Sequence, residues 1–114
     1  MPSTGLSYGP YALTSANVDK YVSAQIGTYV LGHESNGSFY LDYVGRSDTD
    51  VNNRLKDWAP TKYQMFKFDY FATAKAAFER ECQIYHDFSG LDNDVHPARP
   101  KGATYGCPHC RALD

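Results

Sequence analysis

Two charged residues fall at inward-facing positions of helical patterns. When residues 71–88 are placed on a helix, their apolar side chains share one arc and Glu81 falls near its middle. Arg54 falls among the apolar positions of a second helical pattern, over residues 50–58. An unpaired buried charge costs several kcal/mol. Either the two residues pair with each other across the core or they face a site, and periodicity alone leaves both interpretations open.

A second carboxylate lies close to Glu81 in the sequence but has a different predicted place. Glu79 falls on the polar face of the same helical pattern, four residues after Lys75. That spacing favours an exposed ion pair between Lys75 and Glu79. Glu81 is therefore the predicted functional carboxylate of this helix.

Two tyrosine-containing tripeptides lie on neighbouring apolar runs. Gly27-Thr28-Tyr29 is on the first run, and Tyr43-Val44-Gly45 ends the second. The chain has 10 tyrosines, so either tyrosine taken singly is more often a half-buried strand residue. The two glycines can relieve crowding between strands. Arg46 follows directly, and by itself it is interpreted as a solvated loop charge, with phosphate binding as the alternative.

The order of these residues resembles the GIY-YIG nuclease domain, which is found in excision-repair nucleases, homing endonucleases and some restriction enzymes. The two tripeptides are followed by an arginine nine residues after Gly45 (Arg54) and by Glu81 on a later helix. The resemblance covers about residues 25 to 90. Each tripeptide alone is a weak signal, and the resemblance to the family depends on the order of all four motifs.

The resemblance implies hydrolysis of phosphodiester bonds in DNA by an endonuclease that depends on Mg²⁺ or Mn²⁺. In that family pattern Glu81 holds the metal ion, and Tyr29 lies beside the attacking water as its base or its orienter. Tyr43 supports the site and Arg54 clamps a phosphate. Arg46 is a further candidate for phosphate binding.

Several positions depart from the family pattern. Thr28 and Val44 stand where isoleucine is usual, which exchanges one β-forming residue for another, and the two tyrosines lie slightly further apart than is common. Trp58 stands where many members have a histidine, so one group that contacts phosphate or handles a proton is missing. This difference supports an alternative, a catalytically inactive module that keeps the scaffold and binds nucleic acid or a protein partner.

The C-terminal part of the chain is rich in potential metal ligands. Cys107 and Cys110 have the two-residue spacing that lets two thiolates bind one Zn²⁺, which is half of a tetrahedral site. Cys82 and His86, four residues apart on a helical pattern, or His96 could supply the rest. A structural zinc ion would tie this tail to the helix that carries Glu81. A plain core cysteine at position 82 is the alternative, and a third hypothesis is an interaction protein with a zinc-bound tail on a nuclease-like scaffold.

Size and charge limit the expected partners. The 114 residues suit one domain, and the chain has no apolar run near the ~20 residues of a membrane span, so a cytoplasmic protein is expected. A net charge of −2 weighs against a general nucleic-acid binder. The expected partner is DNA, branched or damaged, with specificity supplied by DNA shape, a protein partner or a homodimer.

The elements that would position these residues follow from turn and cap signals. Asn36-Gly37 predicts a hairpin, Thr73 and Gly90 bound the helix that carries Glu81, and Thr14 or Ser15 and one of residues 48–50 cap two shorter helices. Strands are predicted at residues 26–31, 39–44 and 62–71. The predicted fold is α+β, a small three-stranded antiparallel sheet flanked by helices in the GIY-YIG manner.

One structural domain in three parts is predicted. Residues 1–24 form an irregular arm and a short helix, residues 25–90 form the nuclease-like core, and residues 91–114 form the irregular tail.

Overall fold

The computed structural model describes residues 4–59, 62–93 and 95–109. Over these residues the chain is an α+β fold, with one four-stranded antiparallel sheet and three helices. The strands lie in the order β1-β4-β2-β3. The elements in chain order are β1 (Tyr8–Ala12), α1 (Ser15–Tyr21), β2 (Gly27–Ser35), β3 (Ser38–Ser47), α2 (Val51–Trp58), β4 (Met65–Tyr70) and α3 (Ala74–Asp87).

The α+β class is confirmed, but the predicted count of three strands is wrong. Residues 8–12 were expected in an irregular arm and instead form β1, which pairs with β4. This strand lies at the edge of the sheet, where Pro10 can stand without removing a bond of a central ladder. The local sequence does not predict this strand, because Gly9 and Pro10 are residues typical of loops.

The β2–β3 hairpin was predicted and is present. Asn36 and Gly37 both have positive φ, 52° and 79°, as a two-residue hairpin turn requires. Both strands are longer than expected, and β3 continues through Arg46 to Ser47. In the register of the hairpin, Tyr29 lies opposite Gly45.

The three helices begin at capping residues that the sequence indicated. The side chains of Thr14, Asp50 and Thr73 each accept a hydrogen bond from a backbone N–H three residues later, at 3.0 to 3.1 Å. Each cap satisfies a donor that the first turn of a helix leaves without a partner. The starts of the helices are therefore fixed by local chemistry, and α3 ends close to the predicted Gly90.

The helices cover the two faces of the sheet. Because side chains alternate along a strand, β2 sends Tyr29 and Leu31 to one face and Val30 to the other. The first face packs on α1 and α2, and the second packs on Ile84 of α3. None of the helices described here is long and apolar enough to cross a bilayer.

The segment after α3 has no helix or strand among its described residues, as predicted, and it is fastened to β3. The Asn93 carboxamide accepts a hydrogen bond from the Val44 N–H at 3.0 Å and donates one to the Val44 carbonyl at 2.8 Å. The Asp92 N–H also donates to the Asp42 carbonyl at 2.7 Å. These bonds hold the start of the tail against the outer edge of the sheet.

Candidate functional site

All five residues predicted for catalysis and phosphate binding line one cleft of about 250 Å³. The cleft lies beside the edge strand β3, where α2 and α3 approach the sheet from opposite faces. Its lining residues are Tyr29, Tyr43, Gly45, Arg46, Asp48, Arg54, Trp58, Glu81 and Ala98. Residues that are distant in the sequence thus converge on one concave surface of mixed charge.

Gly45 lets Tyr29 reach this cleft from the neighbouring strand. A Cβ atom built at Gly45 would overlap the Tyr29 ring, with the ring carbon Cζ only 2.5 Å away. The Tyr29 side chain therefore lies across the backbone of β3 at Gly45. Gly27 is also tightly enclosed, since a Cβ there would lie 2.6 Å from the Asp69 carbonyl oxygen. Close approach of side chains and backbone explains both glycines.

Thr28, between Gly27 and Tyr29, links the sheet to α3. Its hydroxyl is fully buried and donates a 2.8 Å hydrogen bond to the Ala77 carbonyl. In an α-helix this carbonyl also accepts from the N–H of the fourth following residue, which is Glu81. Thr28 therefore fixes the turn of α3 that places Glu81 at the cleft.

Glu81 faces inward, as predicted. Its residue surface is only 7% exposed, and its Oε1 accepts a 2.7 Å hydrogen bond from Arg46 Nη1. Burial raises the pKa of Glu81 from 4.5 to about 7, although Arg46 opposes the shift. Glu79 pairs with Lys75 at 2.8 Å, as predicted. The two carboxylates of this helix thus have different environments.

Arg46 is not the solvated loop charge that was expected. It belongs to β3, its side chain is only 10% exposed, and it lies between Glu81 and Asp48, 2.7 Å from an oxygen of each. Its guanidinium also lies over the Phe78 ring, 5.1 Å from the centroid. Burial lowers the pKa of Arg46, but the hydrogen bonds to Asp48 and Glu81 outweigh that effect and raise it. The burial of Arg46 depends on long-range contacts, because Glu81 and Phe78 both belong to α3.

Asp48 is the site residue that sequence reasoning missed. The sequence indicates it only as one of three possible helix caps, a role that Asp50 fills. Asp48 lies two residues after Arg46, near the end of an extended strand, and this spacing could have predicted that the two side chains meet. Residues two apart on a strand project to the same side.

Arg54 was expected to face the core, and this prediction is wrong. Its side chain is exposed on α2 and lines the rim of the cleft. The helix has only eight residues, and Val51 and Leu55 take its buried positions. The alternative in which Arg54 pairs with Glu81 across the core is wrong as well, because Arg46 forms that pair. Arg54 still acts on the site electrostatically and is one of the groups that lower the pKa of Glu81.

Trp58 holds Tyr29 in place. The Trp58 indole Nε1–H donates a 2.8 Å hydrogen bond to the Tyr29 hydroxyl oxygen. Tyr29 is 2% exposed, and burial raises the pKa of its phenol. The hydroxyl therefore keeps its proton near neutral pH, and that proton can be donated because the bond from Trp58 uses only the oxygen.

Tyr43 completes this wall of the cleft. Its ring lies 4.7 Å from the Trp58 ring, centroid to centroid, and it is partly buried. Burial, followed by the nearby Glu81 carboxylate, raises the pKa of the Tyr43 phenol. Both tyrosines are thus neutral hydrogen-bonding groups at physiological pH, fixed by aromatic packing.

A second group of functional side chains joins α3 to the tail. One ligand atom from each of Cys82, His96 and Cys107 lies within 4.8 Å of the other two, so the group could hold a metal ion. His86 Nε2 lies 3.2 Å from His96 Nε2 and 3.5 Å from Cys107 Sγ. Three of the five predicted zinc ligands therefore form this group, and a fourth, His86, lies beside two of them. The fifth, Cys110, lies outside the described residues.

Comparison with known proteins found no matching family model, no matching curated protein and no matching solved structure. The likeness to GIY-YIG nucleases therefore rests on the residues of this chain alone.

Proposed function

We propose that this chain is a GIY-YIG-like endonuclease that hydrolyses phosphodiester bonds in DNA with one Mg²⁺ or Mn²⁺ bound by Glu81. The observation that carries the proposal is the buried Glu81 carboxylate, which faces a cleft that also contains two neutral tyrosines and two arginines. A carboxylate is expensive to bury and is usually kept where a cation needs it. The hairpin followed by α2, β4 and α3 supports the GIY-YIG-like fold over residues 25–90.

The donor set at this cleft fits a hard divalent cation. Glu81 and Asp48 are carboxylates on either side of the Arg46 guanidinium, so the space between them already accommodates positive charge. Mg²⁺ prefers oxygen ligands and is often held by one or two carboxylates, with water and substrate phosphate completing the shell. Such an ion would stabilise the charge that develops on the phosphate and on the leaving oxygen.

Each side chain of the cleft has a role in this proposal. Tyr29, which keeps its proton, orients the attacking water instead of acting as a phenolate base. Tyr43 supports Tyr29 through the shared contact with Trp58. Arg54 on the exposed rim binds a substrate phosphate. Arg46 neutralises Glu81 in the free protein and turns to a phosphate when the cation takes its place.

The setting of the reaction is part of the same proposal. Cys82 and Cys107 are free thiols, which together with a DNA substrate fits the reducing cytoplasm. The sulfur and nitrogen donors of Cys82, His96 and Cys107 favour zinc over magnesium, so that group has no part in the hydrolysis.

The decisive test compares two glutamates of α3. The parent, Glu81→Gln and Glu79→Gln are incubated with branched, flapped, single-stranded and duplex DNA in Mg²⁺ or Mn²⁺. We expect cleavage by the parent and by Glu79→Gln, and a loss of at least about 100-fold in Glu81→Gln, because the metal ligand is removed. Glu79 is the matched control, since it lies on the same helix and its carboxylate pairs with Lys75.

A folded parent that cleaves none of these substrates would reject the proposal. So would full activity in Glu81→Gln. Circular dichroism of each variant separates lost chemistry from lost structure.

A second candidate is the catalytically inactive module that binds nucleic acid or a protein partner. Arg46 favours it, because its 2.7 Å bond to Glu81 occupies the carboxylate that would hold the metal. Titration of the parent with Mn²⁺ separates the two candidates. Binding that is lost in Glu81→Gln supports the nuclease, and DNA binding without any metal binding at Glu81 supports the module.

A further inference from the structure

Three nitrogen and sulfur donors of α3 and the tail lie close to one another, and a fourth lies beside two of them. Cys82, His96 and Cys107 present ligand atoms within 4.8 Å of one another. His86 lies one helical turn after Cys82 and touches both other partners, 3.2 Å from His96 and 3.5 Å from Cys107. Two thiols and two imidazoles are a common ligand set of structural zinc.

Two separations within this group match those of a tetrahedral site. With Zn–N near 2.0 Å and Zn–S near 2.3 Å, neighbouring donor atoms in a tetrahedron are about 3.3 to 3.8 Å apart. The Nε2 atoms of His86 and His96 are 3.2 Å apart, and Cys107 Sγ is 3.5 Å from His86 Nε2. These contacts are therefore close to the edges of a zinc tetrahedron.

A hydrogen bond to the backbone fixes the tautomer of His96. His96 Nδ1 lies 2.9 Å from the Pro97 carbonyl oxygen, to which it can only donate. The proton of neutral His96 is therefore on Nδ1, and Nε2 carries the lone pair that a metal needs. The backbone N–H of His109 donates to Cys107 Sγ at 3.4 Å, which holds this sulfur in place.

We propose that Cys82, His86, His96 and Cys107 bind one Zn²⁺ that fastens the segment 95–109 to α3. Mg²⁺ is excluded at this group by ligand chemistry, because thiolate and imidazole prefer zinc. Cys82 is buried in a small core cluster with Phe78 and Cys107, so the ion would cross-link the tail to the helix from inside. The consequence reaches the cleft, since Glu81 precedes Cys82 on α3 and Ala98 of the tail lines the cleft wall.

The first test measures metal directly and needs no enzymatic activity. Protein purified without chelators is analysed for zinc by inductively coupled plasma mass spectrometry, and the apoprotein is titrated with Co²⁺. We expect one zinc per chain, and for Co²⁺ the intense visible bands of a tetrahedral site together with a thiolate-to-metal charge-transfer band. A folded parent that binds neither ion, or a disulfide between Cys82 and Cys107 found by thiol counting, would overturn the proposal.

Variants identify the ligands. Cys107→Ser and His96→Ala should weaken zinc binding at least about tenfold, whereas the control His33→Ala should leave it unchanged. His33 is the matched control because it is a histidine of β2 that pairs with Asp42. Unchanged zinc affinity in Cys107→Ser would also overturn the proposal, and hydrogen exchange of the parent with and without chelator should show protection lost over residues 95–109.

The fourth ligand is tested separately because Cys110 has the competing two-residue spacing from Cys107. We expect His86→Ala to change the Co²⁺ spectrum and weaken zinc binding, and Cys110→Ser to do neither. The opposite result would replace His86 by Cys110 and overturn that assignment.

Discussion

At the scale of single residues, the chemistry of the cleft depends on one carboxylate whose pKa is raised. Burial brings the pKa of Glu81 to about 7, whereas an exposed glutamate titrates near 4.5. Arg46 compensates part of the cost of burial, and Asp48 shares that arginine. A carboxylate held in this state changes its charge near physiological pH.

This shift predicts a pH-dependent stability. Between pH 4.5 and about 7 the folded chain keeps the Glu81 proton that the unfolded chain has lost, so stability falls as pH rises through this window. The fall attributable to Glu81 is about 3 kcal/mol in the free energy of unfolding. Urea unfolding of the parent and of Glu81→Gln at several pH values measures this fall. Between pH 4.5 and about 7, the difference in unfolding free energy between the two proteins should change by about 3 kcal/mol. Parallel pH profiles would contradict the prediction.

At the scale of elements, local signals predicted most of the fold. The Asn36-Gly37 turn and the three caps depend on neighbouring residues only, and all of them could be read from the sequence. Strand β1 could not, because its pairing with β4 is long-range and its own residues signal a loop. The burial of Arg46 depends on how α3 docks, which no local pattern encodes. Helical periodicity placed Glu81 correctly and Arg54 wrongly, since α2 is short and one side of it faces the open cleft.

The hairpin also makes a testable prediction at this scale. Gly45→Ala should destabilise the protein by about 2 to 3 kcal/mol, because the new methyl group overlaps the Tyr29 ring. It should also change the fluorescence of Trp58, which bonds to Tyr29. Gly102→Ala serves as a comparison for fluorescence, since that glycine has open space around it. The change costs backbone strain because φ is +79°, but it should leave Trp58 fluorescence unchanged. Urea unfolding and Trp58 fluorescence check both variants, and parent-like stability and fluorescence in Gly45→Ala would contradict the prediction.

At the scale of the whole molecule, a net charge of −2 predicts weak binding to DNA. Among the described residues, Arg46 and Arg54 are the cations that line the cleft, so about two phosphates should be neutralised. The plot of log affinity against log salt concentration should then have a slope of about −2. Affinity this modest is consistent with specificity supplied by a partner, a homodimer or the shape of the DNA.

Fluorescence anisotropy with labelled DNA in the Glu81→Gln background measures this slope without cleavage. Arg54→Met should reduce its magnitude by about 1, and the control Lys20→Met should leave it unchanged. A slope of about −6 would instead indicate a broad basic surface, and no effect of Arg54→Met would show that Arg54 does not bind phosphate as proposed.

The two outer strands of the sheet bear on self-association. An outer strand with unused backbone groups is a template on which a further chain can add, and this is a route to aggregation. The Asn93 carboxamide bonds both backbone groups of Val44 on β3, and Pro10 in β1 has no N–H to offer. Asn93, which fastens the tail, therefore also prevents another strand from pairing at Val44. Loss of the Asn93 side chain would leave these backbone groups of β3 open to another copy of the chain.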